Sequence, residues 1–287
     1  MVVTGKGGVG KTTVAAALGL VAARRGLRTI VAEVARRDDV SRALGGEGLQ
    51  EEELAPNLHH VSIDPEHAME LYLTDQLPSA LADVLASSRT FAYLAAATPG
   101  MRELLTVGKV WELAQDDRRT PGARSYDLVV LDAPATGHGV AVLSAPRTFA
   151  QVARVGRIAR QGRTIDAMLT DPARTGVVAV ARPEEMPVNE TLALQDVLRH
   201  EVGLEMDLVV ANGVLPRRFS AAEGRTLEAA ADSPEVRAAR HAHARVAAQR
   251  TQLRRLRRGA RAPVATLPFV FDGDHLGRLA RELERAL

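Results

Sequence analysis

Short apolar runs alternate with longer amphipathic segments along most of the chain. The runs are rich in Val, Ile, Leu and Ala, a composition typical of buried parallel strands. They predict strands at 1–4, 29–34, 58–64, 126–132, 176–181, 207–211 and 264–267. Strands that alternate with helices build right-handed βαβ units. The fold class we expect is therefore α/β, with a largely parallel sheet flanked by helices.

Helical periodicity fills most of the remaining sequence. It predicts helices at 13–26, 147–163, 187–202, 220–258 and 274–287. Between 65 and 119 the periodicity continues with no strand signal, and we interpret this part as a helical subdomain inserted beside the sheet. Residues 1–287 would then form one domain. We predict that the last helix packs on the core rather than anchoring a membrane, through the leucines on its apolar face: Leu276, Leu279, Leu283 and Leu287.

One polar stretch, 35–57, carries glycines and gives no strand or helix signal. Within it, three consecutive glutamates at 51–53 suggest a solvated acidic turn. The first strand looks short, because only four residues precede the glycine-rich loop that follows it. We expect the natural start to lie upstream.

Composition excludes several classes of function. The chain has no cysteine, so a disulfide framework, a thiolate zinc site and cysteine chemistry are all excluded. No apolar run reaches the length of a membrane span, and the N-terminus reads as a core strand rather than a signal peptide, which favours a cytoplasmic protein. The net charge is only +2, which does not favour a nucleic-acid partner over the whole surface.

The start of the chain carries the most specific motif. An apolar strand runs into Gly-Lys-Gly-Gly-Val-Gly-Lys-Thr-Thr, and a small-residue helix follows. This run matches the phosphate-loop pattern G-x-x-x-x-G-K-[ST] in its required strand–loop–helix context. It predicts nucleotide binding by Gly5, Lys6, Gly7, Gly8, Val9, Gly10, Lys11, Thr12 and Thr13. A glycine-rich turn without a ligand is the alternative interpretation.

Each part of a phosphate loop has a defined chemical task. Backbone N–H groups and the positive end of the helix dipole face the polyanion. Lys11 would reach the β- and γ-phosphates, and the Thr12 hydroxyl would hold Mg²⁺. The motif therefore predicts ATP and Mg²⁺ as ligands, with Lys11 as a catalytic residue.

A second lysine, Lys6, lies inside this loop, where an ordinary phosphate loop gives it no task. A lysine at this position resembles the deviant Walker A class, which includes plasmid-partition and division-site ATPases and the arsenical-pump (ArsA) and tail-anchored-protein-targeting ATPases. The resemblance implies that Lys6 is catalytic, crossing a dimer interface to neutralise charge at the partner's nucleotide as an arginine finger does. A solvated loop lysine is the other interpretation.

An apolar strand that ends in Asp132 resembles a Walker B element. Its carboxylate would hold Mg²⁺ directly or through water, together with Thr12. The continuation Asp-Ala-Pro-Ala-Thr-Gly-His, 132–138, resembles the switch II segment of the arsenical-pump and tail-anchored-targeting family, with one Ala and Pro interchanged. His138 in this segment either senses the γ-phosphate or is structural.

Two later segments agree with this family, and the resemblance covers nearly the whole chain. The strand that ends near Asn212 is similar to the family strand whose asparagine reads adenine, and an asparagine side chain can pair with both a donor and an acceptor of that base. Pro268 and Phe269 resemble the loop that closes over the base. A turn role for Asn212 and simple packing for Pro268 and Phe269 are the alternatives.

The sequence departs from the family pattern at switch I. The family aspartate that positions the attacking water aligns with Ala35. Asp38 and Asp39 are candidate catalytic substitutes, but they are shifted by three or four residues, and a displacement of about 1 Å can cost on the order of a hundredfold in rate. We therefore predict slow hydrolysis, or hydrolysis completed by a partner subunit.

The leading hypothesis is a dimeric ATPase switch, as a homodimer or with a paralogous ATPase. It would couple nucleotide state to a partner, a hydrophobic protein cargo or a membrane component. Arsenite and a dimer-bridging zinc ion are poor ligands for a chain that lacks thiols. The histidines at 59, 60, 67, 241 and 243 do not have the spacing of a metal site.

Two other hypotheses remain open. One is a partition or positioning ATPase that acts on DNA or membrane, motivated by an arginine-rich amphipathic helix at 237–261, for which a solvated helix face is the simpler interpretation. The other is a non-catalytic nucleotide-binding subunit of a heterodimer, motivated by the missing switch I aspartate.

Overall fold

A largely parallel sheet runs through the chain. The structure is a computed structural model that describes residues 1–34, 37–68, 100–118, 120, 122–153, 155–271 and 273–287. The described strands are β1 (Val2–Thr4), β2 (Thr29–Val34), β3 (Glu52–Ala55), β4 (Leu58–Ile63), β5 (Leu128–Asp132), β6 (Val177–Ala181), β7 (Leu208–Val214) and β8 (Val264–Pro268). Their order is β3-β4-β2-β5-β1-β6-β7-β8, and every neighbouring pair is parallel except β3–β4 at one edge.

Helices cover both faces of this sheet. They are α1 (Lys11–Arg24), α2 (Asp39–Ala43), α3 (Met101–Leu113), α4 (Thr136–Ala153), α5 (Gly156–Thr170), α6 (Glu185–Val197), α7 (Ala221–Ala229), α8 (Pro234–Gly259) and α9 (His275–Ala286). A π-helical turn, Leu198–Val202, extends α6. The predicted α/β class, with a largely parallel sheet flanked by helices, is confirmed.

The strand side chains alternate between two hydrophobic cores. Val3, Val31 and Val130 pack with residues of α1 and α9 on one face. Val2 and Leu131 pack with residues of α3, α4 and α5 on the other face. Because the central strands are buried on both sides, their sequences are continuous apolar runs, which is the pattern that predicted them.

The topology places the functional end of the sheet. The connection after β1 crosses to β2 on one side, whereas β6 lies on the other side of β1. Ligands of open α/β sheets bind at such a switch point, outside the carboxyl ends of the strands. The glycine-rich loop after β1, the end of β2 and the end of β5 therefore meet at one edge.

The predicted turn at 51–53 is wrong, although Glu51 and Glu53 are exposed, as the prediction of a solvated segment requires. Glu52 and Glu53 lie in β3, which pairs with β4. Glu51 accepts bonds of 2.6 and 2.9 Å from the buried Arg118 guanidinium and one of 2.7 Å from the Tyr126 hydroxyl. The glutamate run by itself predicts a solvated turn. The hydrogen bonds of Glu51 to Arg118 and Tyr126 could not be predicted from it, because these partners are distant in sequence.

Two predicted helices are each divided in the structure. The 220–258 segment forms α7 and α8, because Ser233 caps a new helix and Pro234 occupies its first turn. The 147–163 segment belongs to α4 and α5, which separate at the extended residue Val155. The polar stretch after β2 also contains a short helix, α2, that the sequence pattern did not predict.

The predicted helical subdomain at 65–119 is described only in part. Residues 65–68 and 101–113 are helical. Residues 69–99 and 119 lie outside the described residues. Within the part of the chain that the structure describes, no helix is long and apolar enough to cross a membrane.

The closing helix packs on the core, as the leucine spacing predicted. Leu276, Leu279 and Leu283 of α9 are buried against α1, whereas Leu287 is 57% exposed. Replacing a fully buried leucine removes its transfer free energy and leaves a cavity.

Leu283→Ala should therefore lower the free energy of unfolding by about 2–5 kcal/mol. The matched control is Leu287→Ala, at the exposed end of the same helix, which should change it by less than about 0.5 kcal/mol. Urea unfolding followed by circular dichroism measures both variants. If Leu283→Ala lowers the free energy of unfolding as little as Leu287→Ala does, α9 is not part of the core.

Candidate functional site

The loop between β1 and α1 depends on glycine at two tight positions. Gly5 has φ +142°, and a Cβ there would lie 2.2 Å from the Val180 carbonyl oxygen. Gly10 has φ +90°, and a Cβ there would lie 2.4 Å from Asn212 Nδ2. Any larger residue would displace the loop from β6 or β7. The glycines therefore bring the loop backbone close to the ends of the neighbouring strands.

The N-terminus of α1 opens towards this loop. Gly10 is the residue before the first turn, and no side chain caps that turn. Lys11 is largely buried and donates from Nζ to the Lys6 carbonyl oxygen at 3.2 Å, so its ammonium lies across the loop. Burial lowers the pKa of Lys11, while the charge of Asp132 opposes that shift. Unpaired N–H groups, a helix dipole and a lysine together form a cradle suited to an anion.

The next residue joins the loop to β5. Thr12 Oγ1 donates to Asp132 Oδ2 at 2.5 Å. The Asp132 side chain is fully buried, and its second oxygen, Oδ1, has no hydrogen-bond partner in the structure. Burial raises the pKa of Asp132, and the hydrogen bond from Thr12 opposes that rise.

These groups fit a magnesium ion. Mg²⁺ prefers oxygen ligands and commonly takes one or two carboxylates together with substrate phosphates. A hydroxyl and a buried carboxylate with a free oxygen supply that chemistry beside the phosphate cradle. Thr12 and Asp132, predicted as ligands of the same metal, are in direct contact.

The sequence analysis missed a third member of this corner, Arg37. Its Nη2 donates to Thr12 Oγ1 at 3.0 Å, and its Nη1 lies 3.9 Å from Asp132 Oδ2. The same guanidinium donates to Asp39 Oδ2 from Nε at 3.0 Å and from Nη2 at 2.7 Å. Burial alone would lower the pKa of Arg37, but these carboxylates raise it. Only the Arg-Arg-Asp-Asp run after β2 could have drawn attention to it.

The two candidate switch I carboxylates are both paired with arginine. Asp38 lies 3.0 Å from Arg42, and Asp39 accepts from Arg42 at 2.8 Å as well as from Arg37. The hydrogen bond from Arg37 is the main cause that holds the pKa of Asp39 below its usual value. Ala35, where the family aspartate aligns, lies outside the described residues.

A buried glutamate at the end of β2 was also missed. Glu33 Oε2 accepts from the Val40 backbone N–H at 2.8 Å and lies 2.9 Å from His60 Nε2, and both side chains are fully buried. The β2–β5 register puts Ala32 opposite Leu131, so Glu33 and Asp132 end adjacent strands. Glu33 therefore fixes the start of α2 beside the contact between Thr12 and Asp132, which we call the metal corner. A charged residue inside an apolar strand was the available signal.

Lys6 has a partner within the chain. Its ammonium forms an ion pair with Glu190 of α6, and both side chains are about one-third exposed. The lysine is therefore neutralised in the isolated chain by a residue that comes much later in the sequence. Its predicted role across a dimer remains a prediction.

The predicted adenine side lies against the other end of the loop. Asn212 Nδ2 donates to the Val9 carbonyl oxygen at 2.9 Å. Pro268 ends β8, and the Phe269 N–H donates to the Val214 carbonyl oxygen at 2.9 Å. Since β7 and β8 are neighbours, the three predicted residues, Asn212, Pro268 and Phe269, lie at one edge of the sheet.

The segment that resembles switch II also borders the loop. A Cβ at Gly7 would lie 3.9 Å from Ala135 Cβ, and a Cβ at Gly139 would lie 3.2 Å from Thr4 Oγ1. Thr136 begins α4, and its buried hydroxyl has no hydrogen-bond partner among the described residues. His138 is exposed.

The arginine-rich segment forms the helix that was predicted, as most of α8. A groove of about 460 Å³ lies between α7, α8 and the loop after β7. Its floor is largely apolar, and five arginines line it: Arg217, Arg218, Arg225, Arg245 and Arg250. Gln249 of α8 joins this region to the end of β7, because it accepts from the Leu215 N–H at 2.9 Å and donates to the Gly213 carbonyl at 3.2 Å.

Comparison with known proteins identifies a family. A family model described as anion-transporting ATPase matches residues 1–161 and 152–233. The ATPase BagA of Mycobacterium tuberculosis is 30% identical over 249 residues, which cover 82% of this chain and 71% of that protein.

Two further relatives are named as arsenical pump-driving ATPases. The one from Escherichia coli is 26% identical over 244 residues, covering 76% of this chain and 40% of that protein. A putative one from Halobacterium salinarum is 29% identical over 230 residues, covering 75% of this chain and 35% of that protein. This chain therefore matches less than half of the length of either.

Proposed function

This chain belongs to the anion-transporting ATPase family, and on that premise we propose that it binds ATP with Mg²⁺ and hydrolyses it slowly as one subunit of a dimeric switch. The observation that carries the proposal is the contact between Thr12 and the buried Asp132, directly beside the lysine of the phosphate loop. Hydroxyl, carboxylate and ammonium stand together where the β1 loop, α1 and β5 meet. That combination is what a magnesium–triphosphate complex requires.

The chain's own residues would divide the work as follows. The loop 5–13 holds the phosphates through backbone N–H groups, and Lys11 turns its ammonium from the Lys6 carbonyl to the β- and γ-phosphates. Thr12 and Asp132 hold the metal, which when bound would neutralise charge on the phosphates. Asn212, with Pro268 and Phe269, would orient the adenine ring at the β7–β8 edge.

Lys11→Ala is the direct test of nucleotide binding. Loss of a charged hydrogen-bond donor to the phosphates should weaken binding of ATP with Mg²⁺ by on the order of a hundredfold. Isothermal titration calorimetry measures the affinity. Lys109→Ala is the control, because Lys109 lies on α3 in an ion pair with Glu112. Unchanged affinity in Lys11→Ala would refute the proposed site.

We further propose that Lys6 serves the nucleotide of a second subunit. The support is its place in the loop and its partial exposure. Its ion pair with Glu190 is about one-third exposed, and such a pair costs little to break. In this arrangement the nucleotide would draw Lys6 away from Glu190 as two subunits close. The dimer is either a homodimer or a pair with a paralogous ATPase. Closure would then alter the surface offered to a partner protein, a hydrophobic cargo or a membrane component.

Complementation between two inactive variants tests this role. Lys6→Ala alone should keep ATP binding but lose hydrolysis, and Lys11→Ala alone should lose both. Mixed in equal amounts, they should recover about a quarter of the wild-type rate, since half of the random dimers carry one complete site. Size-exclusion chromatography verifies dimerisation, and co-purification of differently tagged variants verifies mixed dimers. Mixed dimers without recovered activity would show that Lys6 acts within its own subunit, and failure to dimerise would favour a paralogous partner.

We also propose that the missing switch I aspartate makes hydrolysis slow. Asp38 and Asp39 are engaged by arginines, so neither carboxylate is free to orient water while those pairs persist. If hydrolysis is absent altogether, the chain would be a non-catalytic subunit that keeps its ATP intact.

Single-turnover hydrolysis with the Ala35→Asp variant tests this point. Restoring a carboxylate at the aligned position should raise the rate by about tenfold to a hundredfold. The isosteric Ala35→Asn variant, which cannot act as a carboxylate, should not. Asp38→Asn and Asp39→Asn report whether either residue contributes. An Ala35→Asp variant that hydrolyses ATP at the wild-type rate would contradict the proposal.

A further inference from the structure

Arg37 occupies the corner that the metal would need. Its guanidinium contacts Thr12 Oγ1 at 3.0 Å and lies 3.9 Å from Asp132 Oδ2, the two oxygens assigned to Mg²⁺. We propose that Arg37 is a built-in counter-ion that holds the nucleotide-free site together and must leave when Mg²⁺ and ATP bind. This inference rests on the proposed function and adds to it a side chain that competes with Mg²⁺.

The need for such a counter-ion follows from burial. Asp132 is fully buried at the end of β5, and the buried Glu33 lies one residue before the end of the neighbouring strand β2, so two carboxylates lie on adjacent strands out of water. Burying charge without compensation is costly. Lys11 compensates in part, but its ammonium is hydrogen-bonded to the Lys6 carbonyl. Arg37 supplies the second positive charge, directly on the Thr12–Asp132 pair.

Arg37 and Mg²⁺ cannot use these oxygens at the same time. Both are cations, and both would be within a few ångströms of one another at the same hydroxyl and carboxylate, where like charges repel strongly. Binding of the metal is therefore an exchange of one cation for another. The apparent affinity for Mg²⁺ is reduced by the population in which Arg37 is bound.

The surrounding contacts make this exchange feasible. Arg37 is 42% exposed and is held on its outer side by Asp39, through hydrogen bonds of 2.7 and 3.0 Å. Asp39 begins α2, which is itself fixed by the Val40 N–H bond to the buried Glu33. Arg37 can thus leave Thr12 and remain paired with Asp39. The movement needs only this side chain.

Arg42 provides a matched control. It pairs with Asp39, the same outer carboxylate, at 2.8 Å and with Asp38 at 3.0 Å, and it is 63% exposed. The contacts of Arg42 in the described part of the chain include neither Thr12 nor Asp132. Removing Arg42 changes the local charge by the same amount but leaves the metal corner untouched.

The test measures binding of a fluorescent, non-hydrolysable ATP analogue as free Mg²⁺ is titrated. In Arg37→Ala and Arg37→Gln, the Mg²⁺ concentration for half-maximal binding should fall by about five- to tenfold, because the competing cation is gone. Arg42→Ala should resemble the wild type. Melting in EDTA is a second readout: Arg37→Ala should unfold at a lower temperature than Arg42→Ala, and Mg²⁺ with the analogue should remove the difference.

Other results would overturn the proposal. If Arg37→Ala weakens analogue binding in EDTA and at saturating Mg²⁺ alike, Arg37 is a phosphate ligand and not a competitor. If Arg37→Ala and Arg42→Ala shift the Mg²⁺ dependence equally, the loss of one positive charge near the site explains the effect, and no specific competition by Arg37 is needed. A wild type that binds the analogue normally, with a Mg²⁺ dependence equal to that of Arg37→Ala, refutes only the Arg37 role. A wild type that binds no analogue at any Mg²⁺ concentration refutes the proposed function itself.

Discussion

The contact between the Thr12 hydroxyl and the buried Asp132 carboxylate ties the site together. It joins the first turn of α1 to the last residue of β5, two elements separated by more than a hundred residues in sequence. The contact exists because β1 and β5 are neighbours in the parallel sheet, so their carboxyl ends open on the same edge. The glycines after β1 then bring the loop back against β6 and β7. The chemistry of the site depends on this single alignment of strands.

Charge balance at this edge explains the residues that surround the contact. Asp132 and Glu33 end adjacent strands out of water, and such groups are retained only where cations or hydrogen bonds compensate them. Lys11 and Arg37 supply positive charge, and His60 and the start of α2 satisfy one oxygen of Glu33. The site therefore contains buried negative charge that must be compensated by a cation. An arginine meets that demand in the free chain, and a metal can meet it with nucleotide.

The sequence predicted the parts that depend on local pattern. Continuous apolar runs identified the central strands because these are buried on both faces. The glycines and lysine of the loop after β1 have the fixed spacing from which phosphate binding is predicted. Thr12 and Asp132 were predicted as ligands of the same Mg²⁺, but the direct hydrogen bond between their side chains was not predicted. Lys6 was recognised from resemblance, but its partner Glu190 could not be, since nothing local links the two residues.

The parts that were missed depend on partners distant in sequence. Glu51 was predicted to be solvated because its neighbours are acidic, yet Arg118 and Tyr126 donate hydrogen bonds to it while its side chain stays 30% exposed. Arg37 was not predicted as a site residue, because its position depends on how the chain leaves β2. The break between α7 and α8 was a local error, since a Ser-Pro pair is a helix-start signal that a long periodic pattern concealed.

A crystal structure with Mg²⁺ and a non-hydrolysable ATP analogue tests the central claim most directly. The account predicts the triphosphate in the loop 5–13, the metal beside Thr12 and Asp132, and the Arg37 guanidinium withdrawn from Thr12 and paired with Asp39. Nucleotide bound elsewhere, or a metal bound while Arg37 still contacts Thr12, would contradict it.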